Sequence, residues 1–504
     1  MCSKDPDETW ICSECITEPF LSASIEASGT LHDCNYCGMN QACFSLGAIC
    51  NLTEQAIAEH YVRTPNEPSE FEYAMLRHGD SDYDWEREGT DIVYVIEELL
   101  ATSSDVVTDI QQQLEEKHYN FEAGTMGEEC EFASDSHYEE RGKVDTVSLD
   151  FMWERFVTSL KTESRYVNHA VSETLDGIFQ DVESLQSHGN KTVIAQAGPG
   201  TEIPFLYRAR WCRNHEELEN LLVTPDRELG PPPHRLSGSN RMSARGISVF
   251  YGASSLEISI SEIRPPVGCY VVTARFRIIR PLRLLNLPAL ESILARGSKF
   301  DPGFIRRREQ AAFLRTLTRR IVDPVLPGEE DFSYIPTQVI AEYLADPEQF
   351  DLDGILYPSV QLSGTAPLST TSREEGYNVV LFHKASRVRL HTLPARKDCM
   401  IRIGHQVSED EWEQDICVTE IVEDGKDPCP PDTDSVPHLE DNRKLSLEID
   451  LSSVSVHDIR AARFEYSTDT VRRDRYSYTP SAARHTESNS HLWGPRLGED
   501  DGPY

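Results

Sequence analysis

Apolar positions in the first part of the chain recur at helical spacing. Ile92, Val95, Ile96, Leu99 and Leu100 share one helix face, Val106, Val107, Ile110 and Leu114 repeat the pattern, and Phe151, Met152, Phe156, Val157 and Leu160 form a third run. Between the last two lies 115–145, rich in Glu and poor in aliphatics, which reads as a solvated loop or a frayed helix end. Gly198-Pro-Gly200 then punctuates a change of period. Segments 250–260 and 269–279 read as strands, the second being β-branched and the clearest in the chain, and helical patterns follow at 288–296, 304–320 and 337–344 before an apolar strand at 379–382. Beyond about 396 the chain turns acidic and Pro-rich, recovers one amphipathic strand-like piece at 445–456, and ends in a polar tail expected to be disordered from about 467.

These patterns predict an α+β multidomain protein: a small module at 1–50, a helical domain at 51–195, a mixed α/β domain at 196–395 and an acidic extension at 396–504. Charge separates the same parts, with −28 over 1–195, +2 over 196–395 and −11 over 396–504 in a total of −37. Such a surface argues against tracking a nucleic-acid backbone or an anionic membrane. No apolar run approaches the roughly 20 residues that span a bilayer, and the start lacks the basic-then-apolar order of a signal peptide, so the expected location is the cytoplasm. Arg306, Arg307, Arg308, Arg315, Arg319 and Arg320 fall at helical spacing and read as an exposed helix face, or else as a surface that docks on an acidic domain.

Two cysteine pairs, Cys12-Ser-Glu-Cys15 and Cys34-Asn-Tyr-Cys37, stand 18 residues apart. That spacing falls in the window of roughly 15 to 20 residues typical of a tetrahedral zinc site. Four thiolates leave no open position for water, so the metal is structural and stabilises a module too short to bury its own core. His32 or Cys43 could replace one ligand, and free thiols are the remaining alternative.

The near-neutral segment carries four polar or aromatic patches beside β-type runs: Leu206-Tyr-Arg-Ala-Arg210, Asn240 to Ile247 leading to Phe250-Tyr251, Ser259-Ile-Ser-Glu262, and Asp353-Gly-Ile-Leu-Tyr-Pro-Ser359. Arginines can clamp a pyrophosphate, an aromatic ring can stack on a base, and one carboxylate can serve a developing cation. With Tyr334-Ile-Pro-Thr-Gln338 and Gly376-Tyr-Asn378 following in order, the segment from roughly 200 to 385 resembles the RES domain, a family with many toxins of bacterial toxin-antitoxin pairs. The cysteine pairs and helical region in front look like the HEPN/RES amino-terminal region of some members. Arg165-Tyr-Val-Asn-His169, one residue short of a HEPN-type ribonuclease motif, reads as a polar pair on an exposed helix face.

The resemblance implies an ADP-ribosyltransferase-like fold that takes NAD as substrate and cleaves its nicotinamide–ribose bond. It assigns Glu262 to the ribose, Arg208 and Arg241 to the pyrophosphate, Tyr251 to a stack on nicotinamide, and Ser359, supported by Asn378, to the nicotinamide–ribose end. Each residue has a rival reading: Arg208 as a partner of Glu216 or Glu217, Arg245 in place of Arg241, Glu257 in place of Glu262, Tyr251 as an ordinary strand aromatic, and Ser359 as a turn former after proline. Expected partners are NAD, an antitoxin or immunity protein, and a protein acceptor if the reaction is transfer; a silent interaction module is the reading from another class.

Overall fold

The computed structural model describes residues 5–475 except 78–83, 120–128, 143–145, 166–167, 189–191, 324, 327, 360–375, 395, 407–411, 422–440, 464–467 and 474. Residues 1–461 form one unit and 462–504 a second, so the tail expected to be disordered lies largely outside the described residues.

The amino-terminal part is built from a three-stranded sheet in the order Trp10–Cys12, Asn40–Ser45, Thr30–Asp33, with helices Pro19–Ser28 and Leu46–His60. The first helix starts where Glu18 accepts the Leu21 N–H at 2.7 Å, the second where Ser45 accepts that of Ala48 at 3.2 Å. Each side chain satisfies a donor that the first helical turn leaves unpaired. Their apolar faces meet helices Ile92–Leu100 and Ser104–His118, and the positions read as periodic, from Ile92 through Leu114, are buried together in one core.

The acidic segment 115–145 departs from its reading as a loop. Phe132 and Tyr138 are buried in the same core, and His137–Glu140 is the middle strand between Tyr61–Arg63 and Thr90–Asp91. Two isolated aromatics make no periodic signal, yet each buries enough surface to anchor a polar segment. The third helical run lies in a different core: Trp153, Phe156 and Leu160, on helix Val147–Thr162, pack with helices His169–Phe179, Phe304–Val322 and Ile335–Ala345 against the central sheet.

That sheet has nine strands in the order Val388–Arg389, Leu447–Asp458, Tyr270–Ile278, Phe205–Cys212, Phe250–Ala253, Tyr377–Leu381, Gly354–Pro358, Leu282–Asn286, Ile194–Ala197. Two pairs are parallel, Leu282–Asn286 with Gly354–Pro358 and Val388–Arg389 with Leu447–Asp458. Because successive side chains point to opposite faces, adjacent residues enter different cores: Leu285, Ile355 and Val380 join the helices, while Leu284, Leu356, Val379 and Leu381 join the opposite layer. Burial on both faces explains why 379–382 reads as a continuous apolar run. Beyond residue 396, Leu447–Asp458, the strand-like piece read at 445–456, pairs with Tyr270–Ile278 along its length, and Cys399–Gln406 pairs antiparallel with Trp412–Glu420 in a hairpin the acidic composition did not announce.

Two readings change. The strand expected over 250–260 stops at Ala253; Ser255 accepts the Ile258 N–H at 3.3 Å and caps helix Leu256–Glu262, so the Ser/Ile alternation is helical. The helix expected over 288–296 is the single turn Leu287–Leu290, followed by strand Ile293–Leu294.

Candidate functional site

The helix capped by Ser255 ends at Glu262, which places that carboxylate over the sheet edge where Ser359 and Asn378 emerge. The Ser359 hydroxyl donates to Glu262 Oε1 at 3.0 Å and the Asn378 amide to the same oxygen at 2.7 Å. Ser359 and Asn378 are buried, at 7% and 3% exposure, and Glu262 is half-buried. Two glycines allow this approach. A Cβ on Gly376 would lie 2.2 Å from Ile258 Cδ1 of the helix, and one on Gly354 would lie 2.2 Å from the Val380 carbonyl. Asp353, the first residue of the Asp-Gly-Ile-Leu-Tyr-Pro-Ser run, is structural: it accepts from Arg280 Nη2 at 2.8 Å and from the Arg283 N–H at 3.0 Å.

A second group surrounds Arg241. Its guanidinium donates to the carbonyls of Ile321 at 2.5 Å and Asp323 at 2.8 Å, capping helix Phe304–Val322, and lies 5.1 Å from the Tyr334 ring. The loop is gripped by the Tyr334-Ile-Pro-Thr-Gln338 run. Thr337 donates to the Arg241 carbonyl at 2.5 Å, and the buried Gln338 amide donates to Asn240 O at 2.8 Å, Ser239 Oγ at 3.0 Å and Ser243 O at 3.2 Å. Tyr251 joins the same loop by accepting the Met242 N–H at 3.1 Å, and burial pushes its hydroxyl up to about 12. Arg245 is exposed.

Arg208 makes a separate set of contacts: its guanidinium donates to the Tyr251 carbonyl at 3.1 Å and lies 4.7 Å from the Phe250 ring. Burial, then Arg210, pulls it down to about 10, and it remains a cation at neutral pH. Glu217, its rival partner, faces Arg213 instead. Thus Glu262, Ser359 and Asn378 come together, Tyr251 and Arg241 share the neighbouring loop, and Arg208 touches that loop's strand through one carbonyl.

Tyr357 has no sequence-assigned role, but it stands directly opposite Asn378 in the sheet. Its environment includes Tyr251, Glu262 and Arg241, and burial, followed by the first two, raises its hydroxyl well above the usual tyrosine range. The period-two spacing from Tyr357 to Ser359 is the signal that puts both on one face.

With this geometry in view, the comparisons are specific. Residues 206–398 match the RES domain family. The chain carries a RES domain. No curated protein and no solved structure gives a match. The match spans all six residues assigned from the resemblance, and at the family level the RES domain carries NAD-related enzymatic activity. Within the RES domain the arginine-rich helix is engaged inside the chain: Arg306 donates to Gln180 at 2.7 Å, Arg308 to the Arg141 carbonyl at 3.0 Å, Arg315 to the Ile293 carbonyl at 2.9 Å, and Arg320 pairs with Asp150. A cavity of about 600 Å³ includes Arg275, Arg277, Glu448 and Asp450 in its lining, but there the two arginines pair with the two carboxylates.

The cysteine pairs lie outside the RES match. The sulfurs of Cys12, Cys15, Cys34 and Cys37 all fall within 4.8 Å of one another, with Cys12–Cys37 at 3.5 Å and Cys15–Cys34 at 3.7 Å. Tetrahedral zinc–thiolate bonds of about 2.3 Å put sulfurs about 3.8 Å apart, so the donor set fits such an ion. Burial opposes the Cys34 thiolate, but the N–H groups of Cys37 and Tyr36 outweigh it and bring the group to about 7. His32 stacks on Trp10 at 3.8 Å, and Cys43 Sγ donates to the His32 carbonyl at 3.5 Å. The module is tied to the helical core by Tyr36 donating to Asp109 at 2.7 Å and Thr102 to the Cys15 carbonyl at 2.5 Å. Among the described residues no helix is long and apolar enough to cross a membrane.

Proposed function

We propose that the protein is a NAD⁺ glycohydrolase, a toxin-like enzyme that depletes cytoplasmic NAD, with the four cysteines holding a structural zinc ion. The observation that carries this reading is Glu262, one of whose oxygens takes hydrogen bonds from both Ser359 and Asn378. Two neutral donors orient a carboxylate without neutralising it, and among the described residues its other oxygen has no hydrogen-bond partner. That is the disposition needed beside a ribose acquiring positive charge.

The reaction asks little else of the protein. The bond from ribose C1′ to the nicotinamide nitrogen breaks with its electron pair going to nicotinamide, which leaves neutral and requires no general acid. The oxocarbenium-like ribose is the costly species, and a fixed negative charge stabilises it more than it stabilises the ground state. Water then bonds to C1′ and gives up a proton, for which the Glu262 carboxylate is the nearest base. Tyr251 serves nicotinamide as a stacking face, and Arg208 and Arg241 serve the pyrophosphate. An enzyme of this kind needs restraint in its host, so an antitoxin or immunity protein is the partner the reading calls for.

The test is NAD consumption by the purified chain, with nicotinamide and ADP-ribose quantified together beside Glu262→Gln. Equal release of both products, lost in the variant, is the expected result. Nicotinamide without matching ADP-ribose would replace hydrolysis by transfer to an acceptor, and NAD binding without turnover would leave a nucleotide-binding module.

A further inference from the structure

We propose that the Tyr357 hydroxyl is a hydrogen-bond donor to NAD at the junction of nicotinamide and ribose, an inference that rests on the NAD reading above.

The sheet register places it there. On the strand Tyr377–Leu381, Val380 faces Tyr251 on one side and Ile355 on the other, while Asn378 faces Ala253 and Tyr357. Directly paired residues project to the same face, so Tyr251, Tyr357 and Asn378 line one surface at two successive levels, about 7 Å apart along the strands. Ser359, two residues beyond Tyr357, lies on that surface at a third level and holds Glu262. Tyr357 is therefore at the middle level, between the aromatic assigned to nicotinamide and the carboxylate assigned to ribose.

The hydroxyls and amide around it are committed. Tyr251 accepts from Met242, while Ser359 and Asn378 donate to Glu262. The Tyr357 ring packs against the core, while its hydroxyl reaches solvent and has no hydrogen-bond partner among the described residues. A donor left open to solvent at the level between the nicotinamide and ribose positions can exchange water for an acceptor on the substrate, the partner this reading supplies. Burial keeps the O–H protonated, so it can donate and cannot serve as a base.

Tyr357→Phe tests this cleanly because it removes only the oxygen. Since that oxygen bonds to no other described residue, the melting temperature is expected to be unchanged while KM for NAD rises roughly three- to tenfold, the worth of one neutral hydrogen bond, with kcat within about twofold. An unchanged KM in a wild-type enzyme that turns NAD over would overturn the proposal and leave the glycohydrolase reading intact. A fall in melting temperature would also overturn it, by showing that the hydroxyl serves the fold. Wild-type protein that neither binds nor cleaves NAD would defeat the parent reading and this one with it.

Discussion

The cysteine cluster and the Glu262 site solve the same problem, holding reactive groups in register, by opposite means. Four thiols converge from two short turns inside 26 residues, Cys12 to Cys37, so the geometry is local and the surrounding core only ties it down. Glu262, Ser359 and Asn378 come from a helix end and two strands spread over 117 residues, and they converge only because the sheet pairs those strands and two glycines let backbone and helix close on them. A local site carries its own sequence signature and depends on its ligand for stability. A distributed site depends on the core for its shape, and its signature is scattered.

This contrast predicts different responses to damage. Removing metal should have the largest effect: structural zinc contributes apparent binding energies on the order of 10 kcal/mol in small domains. The protein as purified should contain one zinc per chain by elemental analysis, and chelation or Cys34→Ser should abolish the cooperative unfolding of the amino-terminal core in calorimetry. A zinc-free protein with an unaltered transition would erase the difference between the two sites. Next, Glu262→Gln should lower NAD turnover by about a hundredfold or more, comparable to losing a preorganised charge-stabilising group, with little change in melting temperature. A large stability loss instead would mean that the distributed site is part of the fold's own support.

Gln338→Ala sharpens the comparison within the RES domain. It leaves three acceptors around Arg241 without a buried donor, a cost of about 1–3 kcal/mol, so both stability and affinity for NAD should fall together. Affinity unchanged beside a lower melting temperature would detach the Arg241 loop from the ligand site.

The smallest effect concerns His60. Its buried ring sits 5.6 Å from Phe304, donates its Nε2–H to the Lys299 carbonyl at 3.1 Å, and is held below its ordinary value by burial and then by Arg308, against the opposing pull of the Lys299 carbonyl and Glu59. Because the unfolded state takes up the proton first, His60's contribution is full above about pH 6.5 and is lost as pH falls below it. His60→Gln should therefore flatten the decline in melting temperature between about pH 7.5 and pH 5.5; equal slopes in variant and wild type would dismiss the histidine as the cause.

Much of the helical part was legible because periodicity is a property of neighbours: Ile92 to Leu114 were marked by spacing and are buried as marked. The same rule misled where two periods compete. Ser-Ile-Ser alternates like a strand over 259–261, but a serine hydroxyl at 255 captures a backbone N–H and starts a helix, so a cap decided what alternation could not. Phe132 and Tyr138 were invisible since isolated aromatics in an acidic stretch have no period at all.

By itself the sequence determined the two cysteine pairs at zinc spacing, the strand near 269–279 and the helices near 304–320 and 337–344, and the run of motifs that resembles the RES domain, all of which are local in the chain. The tertiary structure alone decided that Glu262 receives Ser359 and Asn378 on one oxygen, that Gln338 and Thr337 hold the Arg241 loop, and that Tyr357 stands opposite Asn378 with a hydroxyl unpartnered among the described residues. Those relations depend on strand order and register, which are set by burying both faces of one sheet in separate cores, a global optimum that no short stretch of residues encodes.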